Sequence, residues 1–306
     1  MSTIKKSYTI GEVVPYINWV YYFHAWGIGA RFASVARVHD CAACRAAWVA
    51  GFAQEEQAQA REAMKLYQEA MELLRRWDKE VGCHGLFLLA EAYSENDDIV
   101  VNGTVRIPFL RQQHVGSAGH TLCLSDYIAP RMLEGEARHI ANRLGLFATT
   151  VQWPTPMPEE GTSEEALQLA TLTDRLAEAT AEKMHEEIRK QDWGYAPDEQ
   201  LTMSELHAEH FQGIRPAIGY PSLPDQSINL LIDELLRFAD IGVTLSENGA
   251  MKPHCSVSGF LFAHPKAHYF SVGDISEEQL IDYANRRGLA PETIKKFLHR
   301  NMASLD

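Results

Sequence analysis

Between Arg215 and Pro221 the backbone has almost no conformational freedom. The heptapeptide Arg215-Pro-Ala-Ile-Gly-Tyr-Pro221 sets two prolines either side of a glycine. Each proline fixes its own φ and pushes the residue before it toward extended backbone. Arg215 and Tyr220 are therefore held extended, while Gly219 is free to take a positive φ or to let a neighbour approach its main chain. An arginine carried on so rigid a segment suits a two-pronged grip on a carboxylate or phosphate. The same letters also describe a plain proline turn with a surface arginine, and the wider sequence has to separate the two.

That wider sequence reads as α+β with segregated elements. Residues 40–80 are rich in Ala, Gln, Glu and Leu with almost no Gly or Pro, which predicts one long helix or two broken near Gly51. Gly85–Leu89 is a compact apolar run fit for a buried strand, and Ile99–Ile107 alternates like a hairpin around Asn102-Gly103. Arg143–Val151 is another strand, and the three prolines of 153–161 make an irregular loop. Thr162 with Glu165 forms a capping box for a helix reaching about Asp192, with Leu167, Leu172, Leu176, Met184 and Ile188 inside. Glu178 and His185 stand seven apart on one face of it. A helix over Pro224–Ala239 carries the stripe Ile228, Leu231, Ile232, Leu235, Leu236. Ser256–Ala263 and His268–Gly273 read as two strands, Ser276 caps a helix ending at Gly288, and a last helix covers Pro291–His299.

Charge and cysteine usage exclude several functions. The formal net charge of −13 carries no basic stripe and repels a phosphate backbone, so nucleic acid is not an expected partner. No apolar run reaches the length of a membrane span, and the start lacks a secretory signal, so the expected location is the cytoplasm and no membrane partner is expected. Five cysteines do not make a disulfide framework. Cys41-Ala-Ala-Cys44 follows His39, yet no second pair supplies the usual ligand count, and the Ala-rich context reads as two thiols sharing a packed helix face. No metal site is expected.

The segment His207-Ala-Glu209-His-Phe-Gln-Gly-Ile-Arg215-Pro-Ala-Ile-Gly-Tyr220-Pro resembles the signature of the activation domain of cobalamin-dependent methionine synthase. Further blocks occur in that family's order: Tyr16-Ile-Asn18-Trp19 with Phe23 and Trp26, then Leu110-Arg-Gln-Gln113, then Cys123-Leu-Ser-Asp126-Tyr-Ile-Ala-Pro130. Asp174-Arg-Leu-Ala-Glu178, His185-Glu, Trp193-Gly-Tyr-Ala-Pro197, Ala250-Met251, Ser256-Val-Ser-Gly259, His264-Pro265 and Tyr269-Phe270 continue it. The resemblance implies one domain over residues 1–306, α+β, with a central mostly antiparallel sheet flanked by long helices.

It also implies a ligand, S-adenosylmethionine. Arg215 would hold the ligand carboxylate, the backbone of Pro216 and Ala217 would lie against it, and Tyr269 and Phe270 would contact the nucleoside end. Tyr220 reads as a ligand contact or a core phenol, and Glu178 and Glu209 match acidic positions near the groove. The family's opening motif usually carries Asp where this chain has Asn18. An amide carbonyl still accepts from the ligand ammonium but brings no charge, and Glu12 is a nearby acid that would compensate.

These 306 residues contain no Asp-x-His-x-x-Gly cobalamin motif, so cobalamin would come in trans on a methionine synthase core or another corrinoid protein, with a flavodoxin-like electron donor. The expected function is a free-standing module that supports reductive methylation of that cobalamin and does not turn over alone. A sensing or docking module without methyl transfer uses the same groove and stays open.

Overall fold

The computed structural model describes residues 2–115, 119–135, 137–154, 164–298 and 301–302. The proline-rich loop lies outside them from residue 155 onward, as do the Thr162 cap and the helix end at His299. Along the chain come β1 (Ile4–Tyr8), α1 (Ile10–Val13), α2 (Trp19–Ala25), α3 (Ala42–Ala50), α4 (Gln57–Trp77), β2 (Gly82–Glu95), β3 (Asp98–Val101) and β4 (Val105–Pro108). Next are α5 (Ala137–Ala141), β5 (Arg143–Gln152), α6 (Glu164–Glu187), α7 (Met203–His207) and α8 (Ile228–Leu236). The chain closes with β6 (Thr244–Leu245), β7 (Met251–Lys252), β8 (Ser256–Leu261), α9 (Glu277–Arg287) and α10 (Pro291–Leu298). No helix among the described residues is long and apolar enough to cross a membrane.

Contacts divide the chain into two compact units. The smaller comprises Ser7–His84 and Thr150–Lys183. Its helices α3 and α4 are the predicted pair, parted after Gly51. On α4, Ala60, Ala63, Met64, Leu66, Ala70, Leu73 and Leu74 are buried at three- and four-residue spacing, so one stripe faces inward. Arg75 and Arg76 complement the dipole of its last turn. On α6, Leu169, Leu172 and Leu176 are buried, whereas Leu167, expected in that stripe, is 57% exposed. Two residues before Leu169 a helix has turned by about 200°, which points Leu167 the other way.

The larger unit comprises Met1–Lys6, Gly85–Thr149 and Met184–Asp306. Its sheet runs β4-β3-β2-β5-β8, with β1 also on β2, and the pairings β2–β3 and β3–β4 are antiparallel. Val101 faces Val105 across the turn, where Asn102 (φ 51°) and Gly103 (φ 73°) supply the left-handed residues the hairpin needs. Alternate residues Leu86, Leu88, Ala90 and Ala92 of β2 join Leu144, Leu146 and Ala148 of β5 in one core, covered by Ile228, Ile232 and Leu236 of α8. The predicted helix over Pro224–Ala239 is shorter than expected because Arg237 turns left-handed (φ 61°) and ends it.

The strand expected at His268–Gly273 is absent; that stretch joins no ladder. β8 has no edge to offer it. One side pairs with β5, and on the other Ile214 and Ala217 bridge Phe262 and Gly259. α9 is the capped helix the sequence predicts, with Ser276 accepting from Gln279 N–H at 3.2 Å and Gly288 left-handed after it.

Candidate functional site

The rigid heptapeptide lies along β8 as a short antiparallel ribbon. Ile214 and Phe262 exchange both backbone hydrogen bonds at 3.0 Å, Phe260 N–H donates to Pro216 O at 3.1 Å, and Ile218 N–H to Ser258 O at 2.9 Å. Close approach depends on Gly259: a Cβ there would stand 2.2 Å from Pro216 O. Tyr220 N–H closes a turn onto Ala217 O at 3.3 Å with Gly219 at φ 88°, a conformation other residues resist. Arg215 N–H donates to the Tyr269 hydroxyl at 2.9 Å, so the two residues predicted to bracket the ligand do meet. Arg215 is half-buried, and Tyr269 and Tyr220 are exposed, which rules out the core-phenol reading of Tyr220.

Behind this ribbon stands a buried polar group that sequence reasoning did not assign. α6 ends in a π turn over Ile188–Asp192. Arg189 on that turn has no exposed surface and grips Glu199 with Nε to Oε2 at 3.0 Å and Nη2 to Oε1 at 2.7 Å. Its guanidinium lies 4.1 Å from the centre of the Phe211 ring. The Tyr195 hydroxyl donates to Gln212 O at 3.3 Å and reaches His185 Nε2 at 3.5 Å. His185 packs edge-on to Phe211 at 5.1 Å. The signal was present in the blocks His185-Glu and Trp193-Gly-Tyr195, but a lone arginine on an amphipathic helix does not announce a buried ion pair.

Burial, with the charges of Arg189 and Arg215 nearby, holds the His185 imidazole well below its ordinary value, and it stays neutral. The sign for stability follows. Above about pH 6.5 neither state protonates this ring; below it the unfolded chain takes up a proton that the folded one refuses. Acid should therefore cost up to about 1.4 kcal/mol per pH unit through this group, until its folded pKa is reached. Urea unfolding from pH 7 to 5.5 checks this. Wild-type stability is expected to fall more steeply than that of His185→Gln, and parallel curves would refute it.

Two of the sequence blocks turn out to brace the fold. Arg111 binds Asp126 through Nη1 at 2.8 Å and Nη2 at 2.6 Å, and Asp97 through Nε at 2.8 Å. Gln112 exchanges bonds with Leu122 and donates to Ser271 O at 2.7 Å. Tyr127 OH donates to His268 O at 3.1 Å. These contacts hold the loop that carries Tyr269 and Phe270. Phe270 itself packs against two apolar clusters, one on the sheet and one around α9 and α10.

The other predicted positions are placed as follows. Glu209 is exposed, at φ 59°, just after α7. Asn18 and Glu178 belong to the smaller unit, and both are half-buried. Asn18 Oδ1 accepts from Val20 N–H at 3.2 Å and caps α2. Glu12 is not a spare acid: its carboxylate accepts from Thr9 N–H at 2.8 Å in a capping box. Arg286 and Arg287 are committed to Asp98 at 2.5 Å and Asp225 at 2.6 Å. The thiols of Cys41 and Cys44 do not share a packed face, since Cys44 is exposed and Cys41 only half-covered. α3 has no fully buried residue, so an Ala-rich pattern there signalled helix without signalling burial.

Residues 9–288 match the family described as "Vitamin B12 dependent methionine synthase, activation domain". The chain belongs to that family. A solved activation-domain relative, the crystal structure of the MetH reactivation domain bound to AdoHcy, superposes with a TM-score of 0.84 at 29% identity. The match covers 99% of this chain and 91% of that one. The α+β architecture expected from the sequence is thus the architecture of an activation domain.

Proposed function

We propose that this activation domain binds S-adenosylmethionine at the Arg215 ribbon and supports reductive methylation of a cobalamin carried by another protein. The observation that carries the reading is the fixing of Arg215 and Tyr269 against each other on a backbone that β8 holds in place. The residues fit the ligand's chemistry. A half-buried guanidinium suits its carboxylate, an exposed phenol ring suits its adenine or sulfonium, and the neutral state of His185 adds no second cation beside Arg215. The AdoHcy of the similar structure is the demethylated form of the same ligand.

Pro216, Ala217, Tyr220, Phe270 and Glu209 would shape the rim. Bound S-adenosylmethionine supplies the methyl group. The domain's own part is to orient it, because the acceptor cobalt is itself the nucleophile and no general base is required. The electron would come from a flavodoxin-like donor. A binding-only role, as a sensor or dock, draws support from Asn18, which carries no charge and already caps α2.

Calorimetry with S-adenosylmethionine tests the site. Arg215→Ala removes two charge-assisted hydrogen bonds of about 1.5 kcal/mol each, a loss of roughly a hundredfold in affinity. Unchanged affinity in the variant would sink the assignment. Methylation of a reduced corrinoid protein in trans then separates the two roles: binding without transfer supports the sensor.

A further inference from the structure

The structure assigns a second site to this protein, unrelated to the Arg215 ribbon: His39, Cys41 and Cys44 form a three-ligand site for a borderline-soft cation such as Zn²⁺. Their donor atoms all lie within 4.8 Å of one another. A tetrahedral Zn²⁺ with bonds of about 2.3 Å to sulfur and about 2.0–2.1 Å to nitrogen needs donors roughly 3.5–3.8 Å apart. Closing the remaining ångström takes only side-chain rotation, since His39 and Cys44 are on the surface.

The local fold explains why the donors converge. His39 precedes α3 in a tight bend in which Cys41 N–H donates to His39 O at 2.8 Å. Cys41 is the N-cap of that nine-residue helix, and its Sγ accepts from Cys44 N–H at 3.3 Å. A cap placed there sets the Cys41 sulfur at the positive end of the helix, and the backbone N–H supports its thiolate as an outer-shell donor supports a metal ligand. Two thiolates neutralise a divalent charge. Sulfur and imidazole together favour zinc-like or cuprous ions over calcium or magnesium, which want oxygen. Among the described residues no fourth His, Cys, Asp or Glu joins the group, and the neighbouring Asp40 is bound by Arg45 at 2.5 Å.

The other three cysteines are buried, so thiol chemistry at the surface of this chain belongs to this pair. The test is anaerobic titration of the reduced, metal-free full chain with Co²⁺ as the spectroscopic probe. We expect a thiolate-to-cobalt charge-transfer band with tetrahedral d–d absorption, saturating at one Co²⁺ per chain and displaced by Zn²⁺. Cys41→Ser and Cys44→Ser should each abolish the band. His39→Ala should weaken binding at least as much as loss of a supporting hydrogen bond does, about 10–100-fold. Circular dichroism of the variants verifies that these surface changes leave the fold intact. No band in the wild type, or a band that survives Cys44→Ser, overturns the site. So does a reduced chain that takes no metal but loses two thiols on mild oxidation, which would make the pair a redox dithiol.

Discussion

Replacing Glu199 with alanine is expected to destabilise the protein by about 3–5 kcal/mol, the usual cost of leaving one member of a buried ion pair alone. Arg189 has no exposed surface, its Nη1 already lacks a hydrogen bond within the protein, and Glu199 is its only ion-pair partner among the described contacts. Without that carboxylate a full positive charge stays in the interior beside Phe211. The effect is read as the shift in urea midpoint at constant slope. The double variant Arg189→Met, Glu199→Leu provides the control, because apolar residues of similar volume replace a buried pair with little loss. It should recover most of the stability while forfeiting the guanidinium's contact with Phe211. Equal destabilisation of single and double variants would show that packing, not charge, governs this position.

Gly259→Ala is expected to be as severe and to act on binding as well. The new Cβ would meet Pro216 O at 2.2 Å, Ala217 Cα at 2.9 Å and Phe147 Cε1 at 2.9 Å. Two of those three are backbone, which has no rotamer to yield, so the ribbon must lift from β8. Overpacking of this kind costs about 3 kcal/mol at the upper end of its range. Lifting the ribbon also displaces Arg215, and S-adenosylmethionine affinity should fall with it. Leu73→Ala, a cavity in the buried stripe of α4 in the smaller unit, supplies a destabilised control outside the unit that carries the ribbon. If both variants lose affinity equally, the loss reflects general instability and not the position of Arg215.

What was legible in the sequence follows from how local each signal is. Paired helices at α3 and α4, the Asn102-Gly103 hairpin and the capped α9 are dictated by periodicity, turn chemistry and caps within a few residues, and they form as read. The stretch at 268–273 carries a strand's composition, but whether it pairs depends on which edges of β8 are already taken, and that is decided by residues 214–217. Arg215 announced itself through its prolines. The buried polar group was not legible: Arg189, Glu199, Tyr195 and His185 meet only because a π turn and two loops bring them together. The cysteine pair shows the converse: an Ala-rich helix forms where the pattern predicts it, yet Cys44 stays exposed, because helix propensity carries no information on burial.

The braces formed by Arg111, Gln112 and Asp126 bear on how kinship should be interpreted in this family. They account for two of the motifs by which the chain is recognised, yet they tie loop to loop within the protein. On the assignment proposed above, lineage and ligand are therefore inscribed in different side chains. A descendant can discard Arg215, retain every brace, and still be counted a relative by any comparison of sequence or shape. Family membership certifies the scaffold; what the scaffold holds is settled by a handful of residues that such comparisons scarcely weigh.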